Sequence, residues 1–388
     1  MEMYQKKIAI VTHQMIMGGI EKSLIEICKE LQKENIQITL YLEQTGGELY
    51  DAIPVGVKVI PIFEKCNNVK TLIKTFVKQF QMKKIWSLIK CYFINRFHRD
   101  PVKGWIENIK YLEEEEEYYD YAFAYGAPIA FSTIYVDKKI KASKKYAWIH
   151  NDPEQLSLDI TKYDKCFKDY DKIICVSEST KRKFDKIFPH YALKTKVFYN
   201  IIDYKYIKTK ANESIFLDDY NGKRLLTVGR LCDQKGQDII PKITKRLLED
   251  NYNLRWYCVG DGELYSDLER EIEKKRIQGS VVLLGNRNNP YPFFKNADIY
   301  VQPSRHEAFG ITITEAKIMK LPIVTTDFDG AAEQIENGQT GLIVKFDIDE
   351  IYMAIKRLLD DEKLIAAFKH NLDTDTKQCV SDINELLS

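Results

Sequence analysis

Short apolar runs rich in Val, Ile and Tyr recur along this chain, each followed by a longer stretch of helical period. In the first half the runs cover 7–13, 36–43, 57–62, 119–125, 146–150, 172–177 and 196–202. In the second half they cover 224–230, 254–260, 281–285, 298–304, 321–326 and 341–346. Strand alternating with helix predicts α/β domains built on parallel sheets. The segment YNIIDYKYIK closes the first series, a polar stretch follows, and a new first strand begins at Arg224. We therefore expect one Rossmann-like domain over 1–202 and a second over 203–370. A helical piece at 380–387, within the segment 371–388, follows the second series and is expected to return to the first domain.

Length and charge agree with that division. The 388 residues exceed one ordinary domain and suit two, each large enough for its own core. A net charge of +1 gives no basic footprint for nucleic acid. The eight cysteines form no C-x-x-C pair or zinc-ligand spacing, and several sit in strand-like runs such as KIICVS. A reducing, cytoplasmic setting is expected. The first apolar run is too short for a signal peptide, and none approaches the roughly 20 residues of a spanning helix.

In open parallel sheets, ligands bind beyond the carboxyl ends of the strands. In the second half those ends read Gly229-Arg230, Gly260-Asp261-Gly262, Gly285-Asn286 and Ser304 to Glu307. Glycines allow close approach of backbone, and helix N-termini offer N–H groups to anions. The segment SRHEAFGITITEA places Glu307 and Glu315 eight positions apart, with Gly310 between them. If Gly310 opens a helix, Glu307 lies in the preceding loop and Glu315 more than a turn along. Carboxylates suit sugar and ribose hydroxyls because each accepts two hydrogen bonds. Acids are also favoured at any helix start. In TVGRLCDQKG, Arg230 and Lys235 follow a strand and could neutralise a diphosphate, or could be surface charge.

With these residues the chain resembles the family 4 glycosyltransferases, retaining enzymes of the GT-B architecture. The E-x7-E element matches at Glu307 and Glu315, and G-R-L…K-G at Arg230, Lys235 and Gly236. MGGIEKSL resembles the family's glycine loop, YNIID its linker, and GQTGLIV its tail. The resemblance implies two Rossmann-like domains facing across a cleft and a nucleoside-diphosphate sugar as donor, with UDP expected. It gives Arg230 and Lys235 the diphosphate and the leaving charge, and Glu307 the donor sugar. The backbone of Phe309, Gly310 and Ile311 would meet sugar or phosphate, and Glu315 the ribose. Gly18 and Gly19 would bring N–H groups to phosphate, and His150, ending a first-domain run, would be the active-site histidine. Retention would follow from front-face attack without a side-chain nucleophile. The acceptor is expected to be a glycan or lipid-linked glycan of a cell-surface polysaccharide. No cofactor or metal is expected. A non-hydrolysing sugar-nucleotide epimerase and an inactive binding partner are the alternatives.

Some features depart from that pattern. Ile201 replaces the linker's common glycine. Asp327-Phe328-Asp329 spells D-x-D, which we read as a polar loop, and Asp347-Ile348-Asp349 as a turn and helix cap. His13 also ends a run and is given only a wall position. Between 65 and 103 lysines and arginines interleave with Leu, Ile, Phe and Trp86. Such a helix can lie on an anionic membrane surface, or pack on its own domain with its lysines in water. The acidic run 113–117 is expected to be a solvated helix face.

Overall fold

The computed structural model describes residues 5–63, 86, 101–109, 112, 115–127, 131–155, 160–213, 220–374 and 381–387. The chain separates into two compact units, Met1–Ile201 with Ser381–Ser388, and Ile202–Val380.

The first unit contains strands β1 (Lys7–Thr12), β2 (Gln37–Leu42), β3 (Lys58–Pro61), β4 (Tyr118–Ala127), β5 (Lys141–Ile149), β6 (Lys172–Cys175) and β7 (Thr195–Val197). They form one sheet in the order β3-β2-β1-β4-β5-β6-β7, and every pairing is parallel. In β1 every residue but the first is buried, as expected for a strand covered on both faces. From β1 the chain first winds outwards to β3, then resumes beside β1 with β4. That reversal makes the β1/β4 crevice the topological switch point.

The second unit contains β8 (Lys223–Val228), β9 (Leu254–Val259), β10 (Val281–Leu283), β11 (Ile299–Gln302), β12 (Ile323–Thr326) and β13 (Gly341–Val344). Its order is β10-β9-β8-β11-β12-β13, again all parallel, with the reversal between β8 and β11. Successive side chains of a strand point to opposite faces, and this sheet sorts them into two cores. Leu225, Trp256, Ile299 and Val301 lie in one, with Ile355 and Leu358 of helix Ile348–Asp360. Leu226, Tyr257 and Tyr300 lie in the other, with Phe294 and Ile313. Asp347 caps helix Ile348–Asp360, its carboxylate accepting from Asp349 N and Glu350 N.

The chain's return to the first unit begins at Ser381, at the helical piece read at 380–387 and ten residues into the expected segment 371–388. Helix Glu362–Thr374 stays with the second unit because Phe368 and Leu372 are buried there and Asn371 donates to the Gln339 carbonyl at 2.8 Å. The short helix Asn384–Leu387 belongs to the first unit. Tyr121 OH donates to Leu387 O at 2.8 Å, and Tyr199 N donates to Ser381 Oγ at 2.9 Å.

The acidic run differs from its expectation too. Residues 113 and 114 lie outside the described residues; 115–117 are not helical, and Glu116 is exposed while the carboxylates of Glu115 and Glu117 are held. Glu115 accepts from Tyr41 and Tyr135, at 3.1 and 2.9 Å, and Glu117 from Lys7 and Tyr119, at 2.8 and 3.1 Å. Of the basic stretch 65–103, all but the exposed Trp86 and residues 101–103 lie outside the described residues. Among the described residues, no helix is long and apolar enough to cross a membrane.

Candidate active site

The switch point of the second sheet gathers the residues that the sequence singles out. The loop after β8 carries Arg230 and Lys235, and the loop after β11 carries Glu307. Lys235 Nζ forms an ion pair with Glu307 Oε1. Gln302 Nε2 and Ser304 Oγ donate to the same oxygen, each at 3.1 Å. Among the described residues, no hydrogen bond is directed to Glu307 Oε2. The carboxylate is buried and fixed through one oxygen, with the other left to a further donor such as a hydroxyl group. Arg230 is exposed, and its guanidinium has no ion-pair partner among the described residues.

Gly310 caps helix Ile311–Ile318 at φ +85°, in the left-handed region. A Cβ there would stand 3.2 Å from Gln302 Nε2 and 3.2 Å from the Phe328 ring, so glycine meets both a conformational and a steric need. The first N–H groups of the helix have no intrahelical acceptors, which makes this end suited to an anion. Glu315 lies in the helix, almost fully buried, and Tyr291 OH donates to its Oε1 at 3.2 Å. Phe309 is buried, while Ile311 and Thr312 are partly exposed.

Sequence reasoning missed several residues that support this site. Gln334 Nε2 donates to the carbonyl of Phe309, while its Oε1 accepts from Thr314 Oγ1 at 2.6 Å. Arg305 joins the two loops through Asp238 and the Asp233 carbonyl. Phe328, the centre of the D-x-D string, is buried against Gly310, with exposed aspartates on either side. Among the described residues, no three His, Cys, Asp or Glu side chains gather as a metal site. Lone glutamines, an arginine and a phenylalanine have no spacing signature, so only tertiary contact reveals them.

In the first unit, His150 directly follows β5. Burial pushes its pKa down from 6.5 to about 3, so the imidazole is neutral at physiological pH. Its ring lies 4.3 Å from Tyr125 and stacks at 6.1 Å on Trp148. Its Nε2 is buried without a hydrogen-bond partner among the described residues. Asp152, its neighbour in the sequence, pairs instead with Lys183, at 2.5 Å. Gly18 caps helix Gly19–Lys33 after β1, and Glu21 occupies the first turn. His13 is exposed and bonded through Nδ1 to Glu43 Oε2 at 2.7 Å. That hydrogen bond raises its pKa above the usual histidine value, against a smaller effect of burial.

Two doubly wound parallel sheets, one with cations and a fixed carboxylate at its switch point, define a two-domain α/β class of protein whose ligand crevices lie beyond the carboxyl ends of the strands. Residues 210–374 match the model of the glycosyl transferases group 1 family. It is 28% identical to the uncharacterized glycosyltransferase MJ1059 of Methanocaldococcus jannaschii, over 59% of this chain and 63% of that protein. It is 29% identical to an N-acetylgalactosamine-N,N'-diacetylbacillosaminyl-diphospho-undecaprenol 4-alpha-N-acetylgalactosaminyltransferase of Campylobacter jejuni, over 54% of this chain and 57% of that enzyme. The chain thus spans less than two thirds of the length of both relatives. Among solved structures, Anabaena Alr3699/HepE in complex with UDP-glucose superimposes with a TM-score of 0.71, covering 98% of this chain and 99% of that one at 19% identity. That likeness shows the two-domain α/β fold, the GT-B architecture.

Proposed function

We propose that the chain is a retaining glycosyltransferase that moves a hexose, or a derivative, from a UDP-sugar to an acceptor hydroxyl. The observation that carries this reading is the convergence of three donors on Glu307 Oε1, with Arg230 exposed in the same loop as Lys235. Lys235 and Arg230 meet the diphosphate and stabilise the charge that builds on it as the sugar leaves, usually the greatest single contribution to catalysis of this kind. Glu307 Oε2 accepts from a hydroxyl of the donor sugar, Glu315 from the ribose, and the backbone of Phe309, Gly310 and Ile311 borders the phosphate. Gly18 and Gly19 supply further N–H groups to phosphate. His150 serves the donor sugar as a neutral hydrogen-bonding group.

In the transfer step, the acceptor oxygen bonds to the anomeric carbon on the face from which the phosphate oxygen departs. The acceptor's proton passes to that departing oxygen, so configuration is kept and no side-chain nucleophile is needed. Two comparisons support the substrate classes: HepE was solved with UDP-glucose, and the Campylobacter relative acts on a diphospho-undecaprenol-linked sugar. We place the reaction in cell-surface glycan synthesis, on a lipid-linked acceptor at the cytoplasmic face of a membrane.

Thermal stability against UDP-, GDP- and ADP-sugars without added metal tests the donor. A ligand at about a hundred times its Kd adds roughly 2.7 kcal/mol, and only the UDP series is expected to do so. Product analysis then separates the outcomes: a new glycosidic bond supports transfer, and an isomerised nucleotide sugar means an epimerase. Neither product, with no stabilisation, would leave an inactive partner.

A further inference from the structure

Gln302 ends β11 with its side chain buried, and its amide is used at both ends. Nε2 donates to Glu307 Oε1 at 3.1 Å, while Oε1 accepts from Thr312 Oγ1 at 2.8 Å and from Tyr300 OH at 3.1 Å. Two hydroxyl donors on one side fix the amide oxygen there, and so turn the nitrogen towards Glu307. The backbone is held as well, because Thr325 Oγ1 of β12 donates to Gln302 O at 3.2 Å. One side chain thus joins the end of β11, the first turn of helix Ile311–Ile318 and the carboxylate proposed for the donor sugar.

We propose that Gln302 is a positioning residue for sugar transfer, holding Glu307 by Oε1 so that Oε2 is presented to the donor. The inference rests on the reading of Glu307 given above. Being neutral, the amide fixes the carboxylate without contributing charge, which leaves Lys235 as its counter-ion. The other titratable groups around this point are Tyr300, on β11, and Glu315, on the following helix. Burial raises the Tyr300 phenol far above its ordinary value, with both glutamates adding to the shift, so it remains a neutral donor.

The test compares wild type with Glu307→Ala, Gln302→Met and Gln302→Glu. UDP release and transfer are measured with UDP-glucose, UDP-galactose and UDP-N-acetylglucosamine, from about pH 5 to pH 9, alongside melting curves. Gln302→Met is expected to lower kcat by about tenfold to a hundredfold with a smaller change in donor KM, at every pH. Gln302→Glu keeps the shape and places two carboxylates in contact, which then share one proton. While that proton is present the introduced carboxyl group donates as the amide did, so transfer approaches wild type at low pH and falls as pH rises. Equal loss in both Gln302 variants at every pH, or no loss in either, overturns the positioning role. Glu307→Ala transferring like wild type, or a wild type that uses none of the three donors, overturns instead the reading on which it rests.

Discussion

Arg305 closes its guanidinium on both oxygens of Asp238, Nη1 to Oδ1 at 2.7 Å and Nη2 to Oδ2 at 2.8 Å. Nη1 also donates to the Asp233 carbonyl at 2.6 Å, and the group lies 4.4 Å over the Phe346 ring. Gln234 repeats the link, its carbonyl accepting from Arg305 N at 2.8 Å and its side-chain Nε2 donating to His306 O at 3.0 Å. Lys235 lies between Asp233 and Asp238 in sequence, and Glu307 lies two residues beyond Arg305. Slack in this fork therefore moves Lys235 relative to Glu307.

Arg305→Lys is expected to slow transfer although it keeps the charge, because an ammonium cannot reproduce a planar, two-pronged contact. A loss of about tenfold to a hundredfold in kcat matches a small misplacement of reacting groups. Stability should fall by only about 1 kcal/mol, since the pair is partly exposed. Combining it with Asp238→Asn should add little to either single change, and a double-mutant cycle reads that coupling directly. Fully additive losses would mean that Arg305 acts elsewhere.

Lys235→Met and Glu307→Gln are expected to lower kcat by at least about a hundredfold, the scale of removing one preorganised electrostatic group. Both should fold, because Gln302 and Ser304 still hold position 307 when Lys235 is gone. Steady-state kinetics beside melting curves decides. Near-normal turnover in both variants would remove these residues from the site.

The sheets were largely legible in the order of residues. Each of the strands β1 to β13 overlaps an apolar run read from the sequence, because strands covered on both faces need side chains that tolerate burial throughout. The cluster of Lys235, Glu307 and Gly310 was legible for another reason: glycine and charge at one strand end are commonplace in turns, but several such ends in register mark a ligand crevice. The supporting residues were not. Gln302, Gln334 and Arg305 act across loops distant in sequence, and no periodicity marks them. The chain's return was legible as the helical piece at 380–387, but its segment was opened at 371, because Leu372 fits either core by pattern alone.

Gly236 offers a test of how closely the two loops must approach. It sits at φ +66°, and a Cβ would stand 1.8 Å from the carbonyl oxygen of Pro303. Gly236→Ala must therefore push apart the loops that carry Lys235 and Glu307, beyond the strain of about 1–3 kcal/mol that a left-handed non-glycine residue bears. Gly338 has a similar φ of +79° with nothing within 4 Å, so Gly338→Ala should show the strain alone. Both variants should melt earlier, but only Gly236→Ala should also lose donor-induced stabilisation. Equal behaviour of the pair would show that the approach is not needed.

His150 should leave a pH signature in stability rather than in catalysis. Its pKa is pushed down by burial from 6.5 to about 3, so between those values the unfolded chain takes up a proton that the folded chain refuses. Stability from this residue is complete above about pH 6.5 and is lost as pH falls towards 3. By pH 5 the loss amounts to about 2 kcal/mol, at 1.36 kcal/mol for each unit below the unfolded value. Denaturant unfolding of wild type and His150→Gln at pH 7 and pH 5 reads the difference. Wild type should lose about 2 kcal/mol more than the variant over that interval, with any catalytic defect of His150→Gln present at both pH values. Equal losses would mean that the imidazole takes up its proton in the folded chain, reaching water or a carboxylate. A neutral role towards the donor sugar would then be untenable.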